Sequence, residues 1–168
     1  MSFSIYDAAI PPMIRMLENL SKIMDKAVSQ AKEKDMPLSE LLDARLAPDM
    51  HPFTRQIQMV SDSAKGCAAR LAGIEAPSMP DTETTFPELH TRIAKTIDFL
   101  KSVSAEKIVG AEDRMVTIKT PNRTFEMTGR EYVTGFALPN FFFHVTTAYA
   151  LLRHKGIAIG KMDYLGDQ

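Results

Sequence analysis

The sequence predicts a mainly α fold: an antiparallel four-helix bundle with a small β-hairpin between the third and fourth helices. Three observations predict it. Four long segments carry apolar residues at alternating spacings of three and four, the stripe of an amphipathic helix. Capping signals and prolines punctuate those segments. One stretch near residue 120 switches to a period of two, the strand pattern. The chain has 168 residues, the usual size of one domain, so residues 1–168 are expected to form a single helical-bundle domain.

The first helix is predicted from about Ser4 to Lys34. Met13, Met16, Leu17, Leu20, Ile23, Met24, Ala27, Val28 and Ala31 form its stripe. Ser4 with Asp7 makes a capping arrangement, and Pro11 and Pro12 either kink the helix or mark its true start. Ser39 to Leu46 is expected to add a short helix in the connection. The second helix is expected to start near Pro52, a residue favoured in the first turn, and to end at Gly73. Phe53, Ile57, Val60, Ala64, Cys67, Ala68 and Leu71 form its seam. Cys67 is therefore expected to be a small buried residue rather than a reactive thiol.

A loop rich in proline and acidic residues, Ile74 to Thr84, leads to the third helix. Thr85 and Glu88 fit a capping box there, with Pro87 in the first turn and Phe86, Leu89, Ile93, Ile97 and Leu100 as the stripe. Val116 and Ile118, then Phe125 and Met127, alternate with polar residues around the turn Thr120-Pro121-Asn122-Arg123, a β-hairpin pattern. The last helix opens with a capping box at Thr128 and Glu131, runs to about Lys155, ends at Gly156 and is predicted to kink at Pro139. The tail, residues 157–168, is expected to lie over the bundle surface.

Composition narrows the function. A net charge of −1 creates no field to draw nucleic acid or an acidic membrane surface, so neither is an expected partner. No apolar run reaches the ~18 residues of a membrane span. The single cysteine and the absence of a basic, apolar leader fit a cytoplasmic location. Eleven methionines and no tryptophan suit an irregular bundle interior or an apolar pocket. The His-Glu-x-x-His motif, glycine-rich phosphate loops, paired-cysteine metal motifs and Glu-x-x-His are all missing.

The stretch Asn140-Phe141-Phe142-Phe143-His144 carries the most chemistry. Asn140 and His144 are four apart and share one helix face, with Phe136, Thr147 and Leu151. Two polar groups on a core-facing stripe need partners, since an unsatisfied one costs about 1–3 kcal/mol. Gln56 and Ser63 on the second helix are the candidate partners, with His51 at its mouth. One reading is a ligand pocket anchored by Gln56, Asn140 and His144. The other is a satisfied histidine in an ordinary core. His154 lies near the last helix's C-terminus, His90 is expected on an exposed face, and Asp81-Thr82-Glu83 is either a cover for the pocket or a solvated loop.

The run from Leu138 to Gly156, with Arg45-Leu46-Ala47-Pro48-Asp49-Met50, Thr54-Arg55-Gln56 and Asp81-Thr82-Glu83-Thr84-Thr85-Phe86, resembles an uncharacterised family within the DinB/YfiT-like superfamily. That superfamily consists of candidate metalloenzymes, some of them thiol-dependent transferases. The resemblance implies a four-helix bundle with a long crossover connection, often dimeric, so a homodimer is expected. It also implies a divalent metal, zinc or nickel, held by one histidine of the second helix and a His-x-x-x-His pair of the last. His144 falls on the second histidine of that pair, Asn140 stands in place of the first, and His51 is nearest to the second-helix ligand. Asparagine is a poor ligand for zinc or nickel. The expectation is therefore a small-molecule-binding bundle with a degenerate metal site. The alternatives are a metal-dependent, thiol-transferase-like enzyme with His51 and His144 as ligands, and a dimeric interaction protein without ligand.

Overall fold

The computed structural model describes residues 3–120 and 122–166. Its frame is four long helices: α1 (Ile5–Glu33), α3 (Phe53–Ala72), α4 (Phe86–Ser102) and α6 (Leu138–His154). The short helix α2 (Leu38–Leu42) lies in the first connection and is briefer than the sequence suggests. Strands β1 (Met115–Lys119) and β2 (Thr124–Thr128) form an antiparallel hairpin with Val116 opposite Met127. A single turn, α5 (Gly129–Tyr132), leads into α6, and α7 (Lys161–Leu165) packs back on α1.

Most of the predicted stripe is buried in α1, α3 and α4, with Val28 and Ile97 only partly covered. Met13, Leu17, Leu20, Met24 and Ala27 of α1 meet Phe53, Ile57, Val60, Ala64 and Cys67 of α3 in one continuous core. Three capping boxes close as the sequence predicts, at Ser4/Asp7, Thr85/Glu88 and Thr128/Glu131. Gly73 ends α3 in the left-handed conformation (φ 66°), which a Cβ would disfavour. Pro52 is the cap of α3 rather than its first residue. Pro11 and Pro12 lie inside α1, which starts before them at the Ser4 cap; the helix forgoes two rungs there.

Cross-helix contacts fix the directions of the bundle. Gln56 meets His144 and Ser63 meets Asn140, so α3 and α6 are antiparallel. Ser21 meets His90 and Glu18 meets Lys101, so α1 and α4 are antiparallel as well. Phe53 packs on Phe86 and Ser61 bonds Thr96, so α3 and α4 run in the same sense. The loop at 73–85 makes this possible by returning along α3, a helix of 20 residues and thus about 30 Å. Along its path Pro77 accepts from Lys65, Met79 touches Ser61, and Glu83 accepts from Gln58. This is the long crossover connection, and no simple up-and-down order would provide it.

The last helix departs from expectation ahead of Pro139. Residues Val133–Ala137 form a π-turn, one residue wider than an α-turn. Proline lacks the N–H that would bond the Gly135 carbonyl, and its ring crowds that group, so a widened turn relieves the conflict. The extra residue shifts the register. Ala137 takes the buried place and Phe136, expected on the inward face, is 40% exposed. At Gly129 the chain approaches so closely that a Cβ would lie 1.9 Å from the Ala111 carbonyl oxygen. No helix of the described residues is long and apolar enough to cross a membrane.

Candidate functional site

Gln56, Met59 and Ser63 follow one another at spacings of three and four along α3, and Asn140 and His144 do the same on α6. These faces meet at the α3–α6 seam. His144 is buried and Asn140 half-buried. His144 Nδ1 lies 2.8 Å from Gln56 Oε1, and Asn140 Nδ2 lies 2.7 Å from Ser63 Oγ.

Hydrogen-bond bookkeeping fixes every orientation here. Gln56 Nε2 donates to the His51 carbonyl at 3.1 Å, so its Oε1 faces His144. An amide oxygen only accepts; His144 Nδ1 must therefore carry the proton and Nε2 the lone pair. Likewise the Ser63 hydroxyl spends its proton on the Met59 carbonyl at 2.7 Å. It can then only accept, so Asn140 turns Nδ2 towards it and leaves Oδ1 free. Among the described residues the one fully buried side-chain polar atom without a partner is Arg92 Nε. Among the described residues His144 Nε2 and Asn140 Oδ1 have no protein partner, and neither atom is fully buried. The seam ends in two outward acceptors.

The protonation state follows from the surroundings. Burial holds the His144 pKa below its ordinary 6.5, and the neighbouring His51 and Arg55 push the same way. His144 is a neutral base at neutral pH. The Phe143 ring, more than half exposed, stands edge-on to it with centroids 5.2 Å apart. His51 is exposed just ahead of α3.

These residues do not fit a three-ligand zinc or nickel centre. Among the described residues no three His, Cys, Asp or Glu side chains come together to hold a metal. The seam supplies at most the imidazoles of His51 and His144 with an amide oxygen, and zinc sites take three good protein ligands.

The opposite flank of α3 holds a second polar cluster that the sequence reading missed. Arg92 is 2% exposed. Its Nη atoms bond Glu83 at 3.0 Å, Asp62 at 2.8 Å and Asp81 at 3.0 Å. Lys65 pairs with Asp62 and Arg55 with Asp81, so three cations meet three carboxylates. Asp81 and Thr82 of the 81–83 loop are exposed, as a solvated loop would be, while the buried Arg92 guanidinium holds the Asp81 and Glu83 carboxylates. A signal was available, since Arg92 and Thr96 sit at helical spacing from Leu89 on the inward face. A cavity of about 540 Å³ lies between this loop and α4, lined by Met79, Pro80, Arg92 and Phe99. His90, expected on an exposed face, is half-buried, bonding Ser21 and pairing with Asp25. Cys67 is fully buried in the core, and burial pushes its thiol up to about 12.

Comparison with known proteins places this architecture. Residues 5–165 match DUF1993, a domain of unknown function. The chain belongs to this DinB-like family. A crystal structure of a DinB family member from Shewanella denitrificans superposes with a TM-score of 0.91 at 40% identity, covering 98% of this chain and 93% of that one. No curated protein matches. The DUF1993 fold thus accounts for the bundle, the crossover and the hairpin; the family description assigns no chemistry to the α3–α6 seam.

Proposed function

We propose that this DinB-like domain binds a small molecule at the α3–α6 seam, with Gln56, Asn140 and His144 as its polar anchors and the family fold's metal centre reduced. The observation that supports this is the pair of outward acceptors. Two hydrogen-bond chains hold His144 Nε2 and Asn140 Oδ1 in fixed directions and spend no protein group on either. A histidine that served packing alone would have both nitrogens satisfied or solvated on a mobile ring. Ordered, unspent polar atoms beside apolar side chains are what a binding site offers.

The test is a fragment screen by NMR on protein labelled at histidine and asparagine. Binders should shift the His144 imidazole and the Asn140 side-chain amide. Binders that shift only residues of the cavity between the crossover loop and α4 would sink the proposal.

One observation favours the metal-dependent alternative. An imidazole whose Nδ1–H is held by an oxygen while Nε2 stays free is oriented as metal-bound histidines are. Asn140→His restores the histidine pair and should raise affinity for zinc or nickel, read by calorimetry on untagged protein. Unchanged affinity would count against it. The exposed Phe136 and Phe143 flanking Asn140 are also what a homodimer would bury, and sedimentation of wild type against Phe143→Ser distinguishes that use.

A further inference from the structure

Helical hydroxyls elsewhere in the molecule give their protons to the carbonyl one turn back: Ser63 to Met59, Thr96 to Arg92 and Thr147 to Phe143. Ser21 of α1 is bonded differently. Its Oγ lies 2.9 Å from His90 Nδ1 on α4, and the other ring nitrogen, Nε2, lies 3.2 Å from Asp25 Oδ1. Ser21 and Asp25 stand one turn apart on α1, so the two straddle a single imidazole. A carboxylate only accepts. In the neutral ring the proton therefore sits on Nε2, and the Nδ1 lone pair accepts from the Ser21 hydroxyl. This is the reverse of the His144 tautomer, and it aims a base at a hydroxyl. A cavity of about 450 Å³ opens on the same residues, a size suited to a small molecule. Ser21 and His90 line it together with Ile93, Ala94 and Ile97 of α4. Lys22 and Glu18 complete the wall, and Glu18 is paired with Lys101.

We propose that Ser21 is a nucleophile with His90 as its general base and Asp25 as the residue that positions the imidazole, and that this site hydrolyses carboxylic esters with a small apolar acyl group. Ser21 Oγ bonds to the ester carbonyl carbon, and its proton passes to His90 Nδ1. The carbonyl π pair moves onto oxygen, where the Lys22 ammonium meets the charge. That pair returns as the bond to the alcohol oxygen breaks, and the alcohol leaves with the proton from His90. Water then attacks the acyl carbon on Ser21 and gives His90 a proton, which returns to Ser21 Oγ as the acid departs. One ester and one water become one acid and one alcohol. Ile93, Ala94 and Ile97 form the apolar wall for the acyl chain. The site draws on none of the residues of the α3–α6 seam.

The experiment treats the intact chain with p-nitrophenyl butyrate, follows nitrophenolate release and maps acyl groups by peptide mass spectrometry. Butyryl should appear on Ser21 at least about tenfold faster than on Ser29, an exposed serine of the same helix. Release should continue beyond one equivalent of protein. Ser21→Ala should release nitrophenolate no faster than the unfolded chain, and His90→Gln should slow release about 100-fold. Asp25→Asn should lower kcat about tenfold with KM unchanged, a smaller effect because water competes for this exposed carboxylate. A carboxylate that only tied α1 to α4 would shift the thermal melt and leave kcat alone. Acyl groups confined to lysines, equal rates on Ser21 and Ser29, or an undiminished rate in His90→Gln overturns the proposal. Release that stops at one equivalent overturns the hydrolysis. If a variant's melt shows that it does not fold, the comparison of Ser21 with Ser29 in the wild type still decides.

Discussion

The two flanks of α3 carry polar groups in opposite economies. Towards α4, Arg92, Arg55 and Lys65 meet Asp62, Asp81 and Glu83, and the charges cancel within the cluster. Towards α6, each hydrogen-bond chain runs from α3 to α6 and stops on an unpaired acceptor. The closed cluster pairs each of its charges, with Arg92 Nε left unbonded, and fastens the crossover loop. An open-ended chain spends its bonds on orienting one atom towards solvent. Burial alone does not separate the two, since Arg92 and His144 are both buried. What separates them is where the hydrogen bonds end.

The largest expected effect is on the closed flank. Arg92→Met leaves Glu83 without its guanidinium, while Asp62 keeps Lys65 and Asp81 keeps Arg55. Breaking a buried pair costs about 3–5 kcal/mol, and the partial exposure of Asp62 and Asp81 places this one near the lower end. Urea denaturation should show it, with the His144 titration little changed. A loss under about 1 kcal/mol would mean that the cluster does not hold the loop.

Gln56→Leu acts on the open flank. It strands the His144 Nδ1–H and should cost about 1–3 kcal/mol. It should also let the imidazole change tautomer, visible in its nitrogen chemical shifts. If the tautomer persists, the orientation has another source.

Acid should affect the two flanks in sequence. The His144 pKa is depressed when folded, so its contribution is complete above 6.5 and is lost as pH falls from there through the folded value. Burial alone would raise the Glu83 pKa, but hydrogen bonds from Arg92 and Gln58 outweigh it and hold it below 4.5. Its contribution persists above 4.5 and is lost only as pH falls through that lower value. Denaturation midpoints against pH should fall in these two stages, and His144→Phe should remove the first alone. A single stage in the wild type would show that the flanks are not independent.

The smallest effect belongs to Arg55, which pairs with Asp81 on one flank while its charge acts on His144 on the other. Arg55→Gln should move the His144 titration up towards its ordinary value, with little change in stability because the side chain is a third exposed. An unmoved titration would show that the Arg55 charge does not reach the seam.

Much of the α3–α6 seam was legible in the sequence. Asn140 and His144 stand four apart within an apolar stripe, and Gln56 and Ser63 fall on the facing stripe of α3, so side-chain period and polarity were enough to name them. The Arg92 cluster was not legible, because its carboxylates come from a loop without period. Asp81 and Glu83 look like any solvated acidic pair until the crossover brings them beside α4. Phe136 was misplaced for a different reason: a π-turn changes register without leaving a sequence period of its own.

The sequence by itself determined the caps of α1 and α4, the faces that α1, α3 and α4 bury, and that a hairpin precedes the last helix. These depend on local caps and on the 3.6- and 2-residue periods, which neighbouring residues set among themselves. Tertiary structure alone decided that α3 and α4 run parallel, that Arg92 gathers three carboxylates, and which ring nitrogen of His144 carries the proton. Each of those depends on groups far apart in the chain, and no local period encodes where a loop returns or which atom a distant amide turns towards its neighbour.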